Sequence, residues 1–332
     1  MISYKDIAEK CKVSTATVSY VLNEKGSVSP AVRQSVLQAA EELGYMARTF
    51  QKKNNRIIRL YCSDIETLPT HMFFNELLAG IFSVTQEKNY DVIVTPVPET
   101  KDASDQIKFS RNMLGDGILV INPRNNPNFL ESVKKSRVPC VIIGRPGDGD
   151  DGLCYVDVDN VAVGYQMTKH VIENGHRSIL FVNGPQEYTI SQDRLSGYKI
   201  ALAEMGLPFE PNCAINCNFT VEDARHAFMD YLEDNVLPTA VITNSDTLAV
   251  GVLDVLAERK LRVPKDCSVI CGGEGILVKM NPTPITGVDL HHMELGRRAA
   301  KTLLNLIDKT LIRATQYHVP FVLNDRGSVR KK

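Results

Sequence analysis

A chain of 332 residues, 43% hydrophobic and 23% charged, has the balance of a globular protein and is too long for one core of ordinary size, which predicts two or three domains. The net charge of −1 hides an asymmetry: residues 1–59 carry ten Lys/Arg against five Asp/Glu, so a basic head precedes an acidic body. No stretch approaches the roughly eighteen consecutive apolar residues of a membrane span, and the N-terminus lacks a signal-peptide run, so no membrane partner and a cytoplasmic location are expected.

The head comes first in the chain. Ser3-Tyr4-Lys5-Asp6 is a Ser-x-x-Asp capping pattern, with Ile7, Ala8 and Cys11 on one helical face behind it. A break at Lys12-Val13 leads into a second short helix over 14–23. Its apolar Val18, Val21 and Leu22 must turn inward, which leaves Thr15, Ala16, Ser19 and Tyr20 outside. Ser29 fits an N-cap and Pro30 the first position of a third helix that runs to Leu43 and stops at Gly44. Helix, tight turn and a helix with a small-residue outer face make the helix-turn-helix arrangement, whose second helix enters the major groove of double-stranded DNA. Small hydroxyl side chains there allow close approach to base edges and phosphates. A generic three-helix packing unit is the alternative. Residues 1–45 are therefore expected to be a DNA-binding domain, 46–56 a linker and 57–332 the body.

In the body, short apolar runs alternate with helical stretches. Segments 57–62, 91–97, 117–122 and 140–144 have strand character, separated by helical periodicity over 73–88, 102–113 and 128–135. The pattern then restarts. Strands are expected at 155–159, 178–183, 214–218, 240–244 and 267–272, with helices near 160–174, 191–205, 221–234 and 247–259. Strand 285–290, helix 293–308 and strand 316–323 follow and are expected to cross back and complete both sheets. Such alternation means parallel sheets covered on both faces, and two series suggest two α/β subdomains. The expected division places 57–158 with 289–315 in one subdomain and 159–288 with 316–325 in the other. Ligands of such folds sit at the carboxyl ends of the strands, here in the cleft between subdomains.

Eight cysteines fit small apolar core residues better than disulfides in a reducing compartment. Cys213-x3-Cys217 and Cys267-x3-Cys271 fall in strand-like text with no histidine at ligand spacing, so no metal is expected. Cys271-Gly272-Gly273-Glu274-Gly275 matches neither a phosphate loop nor a dinucleotide fingerprint, and no nucleophile elbow or zinc-protease helix occurs. Neither catalysis nor a cofactor is expected.

The residues resemble the lactose-repressor/galactose-repressor family of bacterial regulators along the whole chain. In the head the likeness rests on Asp6-Ile7-Ala8, Val13-Ser14-Thr15-Ala16-Thr17-Val18-Ser19, Val21-Leu22-Asn23 and Glu41-Glu42-Leu43-Gly44-Tyr45. In the body it rests on Leu78-Ala79-Gly80-Ile81, Val156-Asp157-Val158-Asp159-Asn160, Gly175-His176-Arg177, Arg194-Leu195-Ser196-Gly197-Tyr198 and Leu295-Gly296-Arg297-Arg298-Ala299-Ala300. The resemblance implies an all-α helix-turn-helix head on an α/β body of two Rossmann-like parallel-sheet subdomains of periplasmic-binding-protein type. It also implies a homodimeric repressor, a pseudo-palindromic operator and a carbohydrate-type effector. Carried over, the DNA-contacting positions fall on Tyr4, Ser14, Thr15, Ala16, Ser19, Tyr20, Asn23 and Ser29. Tyr20 departs from the arginine common there; it can donate one hydrogen bond and stack, but cannot form a bidentate guanine contact. The linker also departs, having no proline and Asn54 where a wedge leucine is expected. Arg48, Lys52, Lys53 and Arg56 still offer phosphate contacts, whether Phe50 acts as the wedge or the segment is a plain basic tether. The family's dimer interface falls on the first body helix, at Phe74, Leu77, Leu78 and Ile81.

The resemblance places the effector anchors at Arg194 and Asp246. Ser245 stands where an asparagine is usual, and a Gly-Phe-Asp-Asp turn becomes Cys271-Gly272-Gly273-Glu274. An aspartate that often ends the fourth strand is Gly144, followed by Arg145-Pro146. Losing aspartates at 144 and 273 is expected to open volume and lower negative charge. Glu274 would then reach a ligand hydroxyl and Arg145 a phosphate, which points to an oligosaccharide or a sugar phosphate. Phe73 and Phe74 stand at the helix entrance as a sugar floor or as core. A carbohydrate-binding protein without regulatory function, a non-sugar effector and a phosphocarrier co-regulator are the alternatives.

Overall fold

The computed structural model describes residues 3–22, 28–43, 56–62, 72–97, 115–122, 127–136, 138–147, 152–311 and 315–332. The expected helix at 102–113, Asn23, Phe50, Asn54 and the linker residues Arg48, Lys52 and Lys53 lie outside them.

The head is three helices, α1 (Tyr4–Cys11), α2 (Thr15–Leu22) and α3 (Pro30–Glu42). The Asp6 carboxylate accepts from the Ser3 amide at 2.6 Å and the Ser3 hydroxyl at 2.9 Å, and these bonds hold its pKa below the ordinary carboxylate value. α1 stops where Lys12 takes a left-handed conformation, φ 54°. Ile7, Ala8, Val18, Val21, Val36, Ala39 and Ala40 then form a core shared by all three helices.

The body holds two six-stranded sheets. The first collects β1 (Ile57–Cys62), β2 (Asp91–Pro96), β3 (Gly117–Ile121), β4 (Cys140–Ile143) and β5 (Cys154–Asp157), with α4 (Met72–Thr85) and α5 (Pro127–Ser136) in the connections. The second collects β6 (Ile179–Asn183), β7 (Ala214–Asn216), β8 (Ala240–Thr243), β9 (Ser268–Cys271) and β10 (Thr286–Asp289). Its helices are α6 (Asn160–Glu173), α7 (Thr189–Glu204), α8 (Val221–Asp234), α9 (Asp246–Glu258) and the short α10 (Ile276–Lys279). Finally α11 (His292–Ile307) packs back on the first sheet, before β11 (Gln316–His318) and β12 (Val322–Asn324). The strand orders are β11-β5-β4-β3-β1-β2 and β12-β10-β9-β8-β6-β7. All pairings among the described residues are parallel except β10 with β12. β3, β6 and β8 bury every residue, as strands covered on both faces must.

One expectation needs correction. The single strand expected over 316–323 is two: Gln316–His318 extends the first sheet beside β5, and Val322–Asn324 closes the second against β10. The chain thus changes sheet between them, at Val319-Pro320-Phe321. Residues 316–318 therefore belong with the first subdomain, three residues beyond the expected boundary. Proline has no N–H to donate to a ladder, so Pro320 suits the break. No helix among the described residues is long and apolar enough to cross a membrane.

Two helix pairs approach closely through glycine. A Cβ on Gly164 of α6 would stand 2.1 Å from the Arg194 carbonyl oxygen, and one on Gly197 of α7 would stand 2.0 Å from that of Val161. Gly80 in α4 and Gly296 in α11 meet the opposite backbone in the same way, at Met293 and Leu77. Gly197→Ala should therefore lower body stability by about 1–3 kcal/mol, the usual scale of overpacking. The exposed Gly152, where an added Cβ would meet nothing within 4 Å, is the control. Urea midpoints of the two alanine variants check this: the first should fall and the second stay.

Candidate functional site

On the head, α2 presents Thr15, Ala16 and Tyr20 to the surface, with Tyr20 52% exposed, while Val18 and Val21 are buried. Ser19 is half-buried. Ser14 caps the helix, its Oγ accepting from the Thr17 amide at 3.1 Å, and Ser29 lies exposed immediately before α3. Tyr4 leans half-buried on the head core. The outer face therefore has the small polar texture expected of a groove-facing helix.

In the body, a cavity of about 780 Å³ lies between the subdomains. Its walls are strand ends: Cys62, Ile121 and Asn122, Ile143 and Gly144, and Asp157 on one side; Pro185, Asn218, Asn244, Gly272 and Leu290 on the other. Parallel sheets place ligands there because loops and helix starts gather at that edge.

Arg194 on α7 lies at its base, 1% exposed. Nε donates to Asn160 Oδ1 at 2.9 Å, and Nη1 to the carbonyls of Gly272, at 2.8 Å, and Asn244. Nη2 is buried with no hydrogen-bond partner. Burial lowers the Arg194 pKa to about 10, which leaves it cationic near neutrality. A buried guanidinium nitrogen without an acceptor is costly, and an oxygen from a ligand in the cavity would satisfy it.

Asp157, at the end of β5, accepts from the amides of Arg145 and Val158, each at 2.8 Å, and from Asn160 Nδ2. Ser245 caps α9, its Oγ accepting from the Leu248 amide at 3.3 Å. Asp246 accepts from the Gly275 amide at 3.0 Å, which ties the α10 turn to the cavity wall. Aromatic rings line both sides. Phe73 lies 5.6 Å from the His292 ring, and Tyr188 meets Phe219 edge-on at 5.8 Å.

Several expected site residues sit elsewhere. Phe74 is buried in the protomer core and does not line the cavity, because α4 turns it onto its own sheet; Phe73 does line it. Leu77 and Ile81 are buried within the protomer as well, so with Phe74 they offer no free surface, while Leu78 is half-buried against the same core. The Arg145 guanidinium points at Asp193 of α7, with 2.9 and 2.8 Å bonds, and is absent from the lining. Glu274 lines the cavity, but Lys279 at 2.9 Å, Asn324 at 2.8 Å and Arg326 hold its carboxylate. Burial pushes its pKa up, but these donors outweigh that and leave it below the ordinary value. Gly144 opens no volume: at φ 102° a side chain would meet Asn122 Oδ1 at 2.5 Å, so Asn122 fills that place. Gly273 does leave room, its nearest neighbour to a Cβ being Asp246 at 3.4 Å.

Sequence reasoning missed Asn122, Asp157, Asn160 and Asn244. Asp157 and Asn160 stand in a motif the chain shares with the family, yet only the fold shows that Asn160 holds Arg194 and Asp157 holds Asn160. Asn244 directly follows β8, one residue before Ser245, and no local signal marks it.

The comparisons agree with this geometry. Residues 3–47 match the bacterial regulatory proteins of the lacI family, and residues 168–329 match a periplasmic binding protein-like domain. The chain is 28% identical to catabolite control protein A of Priestia megaterium, over 99% of each chain. It is also 28% identical to the ribose operon repressor of Escherichia coli, over 99% of this chain and 100% of that one. Among solved structures it is similar to a CelR–cellobiose complex, with TM-score 0.77 at 26% identity over 99% of this chain and 100% of that one. The lac repressor dimer bound to operator shares the fold, with TM-score 0.74 at 21% identity over 99% of each chain. A helix-turn-helix head joined to a two-subdomain binding body defines a ligand-controlled DNA-binding regulator. The head is a lacI-family helix-turn-helix domain, the body carries a periplasmic binding protein-like domain, and the chain resembles regulators of the lacI family over its whole length.

Burial lifts the Asp157 carboxyl to about 7, against the opposing amide donors of Val158 and Arg145 and the charge of Arg194. The folded protein thus keeps a proton that an unfolded chain, with a pKa of 3.8, has lost, and stability falls as pH rises between about 4 and about 7. Melting temperatures across that window should show the decline in the native protein and a flatter profile in Asp157→Asn.

Proposed function

We propose that the chain is a transcriptional repressor of carbohydrate-utilisation genes whose operator affinity is set by an uncharged oligosaccharide bound between the two subdomains. The observation that carries this is the buried Arg194, with Nη2 unpartnered at the base of a cavity walled by aromatic rings on both sides. A planar donor fork suits sugar hydroxyls, and aromatic faces suit the C–H faces of sugar rings. Relatives whose names speak of ribose and cellobiose support the class.

The charge of the walls favours a neutral ligand over a sugar phosphate. Among the described residues, seven carboxyl groups line the cavity, namely Glu76, Asp157, Glu187, Asp223, Asp246, Glu274 and Asp289, against Arg194 and Lys279. Lys279 is already engaged by Glu274, and Arg145 by Asp193. An incoming phosphate would meet more repulsion than attraction.

A homodimer follows from the operator reading, since one head covers only a short half-site and two on a twofold axis read a pseudo-palindrome. Exposed Phe82, at the outer side of α4, and Ile93 and Val94, on the edge strand β2, are the apolar surface offered for it. The chain's relatives are regulators of transcription, and no catalytic role is proposed.

Calorimetry with cellobiose, maltose and glucose 6-phosphate tests the ligand. An uncharged disaccharide should bind, and Arg194→Ala should weaken it by about 2–5 kcal/mol, the scale for losing a buried charged partner, while operator binding persists. Preferential binding of the phosphate would overturn the reading. On the head, Tyr20→Arg should shift preference toward guanine at one half-site position by about 1–3 kcal/mol. Binding-site selection with both proteins decides this; identical motifs would place residue 20 away from the bases.

A further inference from the structure

Asp193 and Arg194 are neighbours on α7 with different partners. Arg194 runs into the base of the cavity, while Asp193 reaches the other subdomain. Its carboxylate takes both arms of the Arg145 guanidinium, Nε at 2.9 Å and Nη2 at 2.8 Å. A second bond reinforces the contact: Thr189 Oγ1, at the start of α7, donates to the Arg145 carbonyl oxygen at 2.8 Å. Arg145 follows β4 of the first sheet, so both bonds cross between subdomains.

The crossing is wired to the cavity. The Arg145 amide donates to Asp157 Oδ2, Asn160 Nδ2 donates to the same carboxylate, and Arg194 Nε donates to Asn160 Oδ1. Any motion that pulls Arg145 from Asp193 therefore strains the residues that aim Arg194. The side chains of Arg145 and Asp193 are 29% and 15% exposed, so water can take over their charges when the pair parts. Such a pair is made and broken more readily than a fully buried one, while its two-pronged geometry still specifies one arrangement. Among the described residues three chain crossings join the subdomains, near 158–160, 290–292 and 319–321, and they leave the sheets free to hinge.

We propose that Arg145 and Asp193 form a salt-sensitive latch between the subdomains that sets how readily the cavity opens and so positions Arg194 for the effector. The consequence for ligand response rests on the cavity being the effector site; the latch itself does not.

Hydrogen exchange of the full-length protein without any ligand tests it. Arg145→Gln and Asp193→Asn should each speed amide exchange about two- to fivefold in the cavity-facing segments 157–160 and 188–192, the range expected for a partly exposed ion pair. Exchange in the central strand β3 should be unchanged, whereas general destabilisation would accelerate it too. The double exchange of charges, Arg145→Asp with Asp193→Arg, should restore slow exchange. Raising NaCl from about 0.05 to about 0.5 M should speed exchange of the native protein but not of either single variant. Single variants with native exchange, or a charge-swapped protein that stays fast, would overturn the latch. Because no ligand enters these measurements, failure of all sugars to bind would count against the proposed effector and leave the latch standing.

Discussion

The rest of the binding body is arranged around one buried guanidinium. Removing an arginine from water costs several kcal/mol unless hydrogen bonds replace its hydration. Asn160 and the carbonyls of Asn244 and Gly272 supply those bonds, and they come from three different elements. Gly164 and Gly197 let α6 and α7 close on each other, so that the backbone bearing Arg194 can sit at the base of the cleft. Gly272 allows the loop after β9 to pass over the guanidinium itself. One nitrogen, Nη2, is left buried without an acceptor on a residue that lines the cavity.

The same demand explains Asp157. Its negative charge helps hold Arg194 cationic, yet burial pushes its own carboxyl to about 7. Donors from Arg145, Val158 and Asn160 keep it in place at the start of the crossing into the second subdomain. Asn160, which donates to Asp157 and accepts from Arg194, links the two groups at the crossing between the subdomains.

Where the chain departs from the family it resembles, the departures compensate one another. Gly144 replaces a carboxylate, and Asn122 occupies the space from the neighbouring strand. Glu274 keeps a carboxylate, but Arg326 and Lys279 neutralise it from the second subdomain and Asn324 donates a hydrogen bond to it. Arg145 brings a cation to the cleft, and Asp193 takes it. Charge at the site is thus set by pairs of residues far apart in sequence, and a count of lost aspartates misjudges it.

Local patterns were sufficient for the head and for the alternation of the body. The spacing of Val18, Val21 and Leu22 leaves α2 only one face to bury, so Thr15, Ala16 and Tyr20 had to point outward whatever the rest did. Uninterrupted apolar runs such as Gly117–Ile121 announced strands covered on both sides. Tertiary structure alone decided what long-range packing controls. The first body helix is apolar around much of its circumference, so periodicity could not say that Phe74, Leu77 and Ile81 face inward while Phe82 stays exposed. Nor could any window around residue 145 or 274 reveal Asp193 and Arg326, because the carboxylates and cations that fix those side chains lie 48 and 52 residues away. Secondary structure is written in neighbours within a turn or a pleat, whereas a side chain's charge partner depends on which strands and helices the fold brings together.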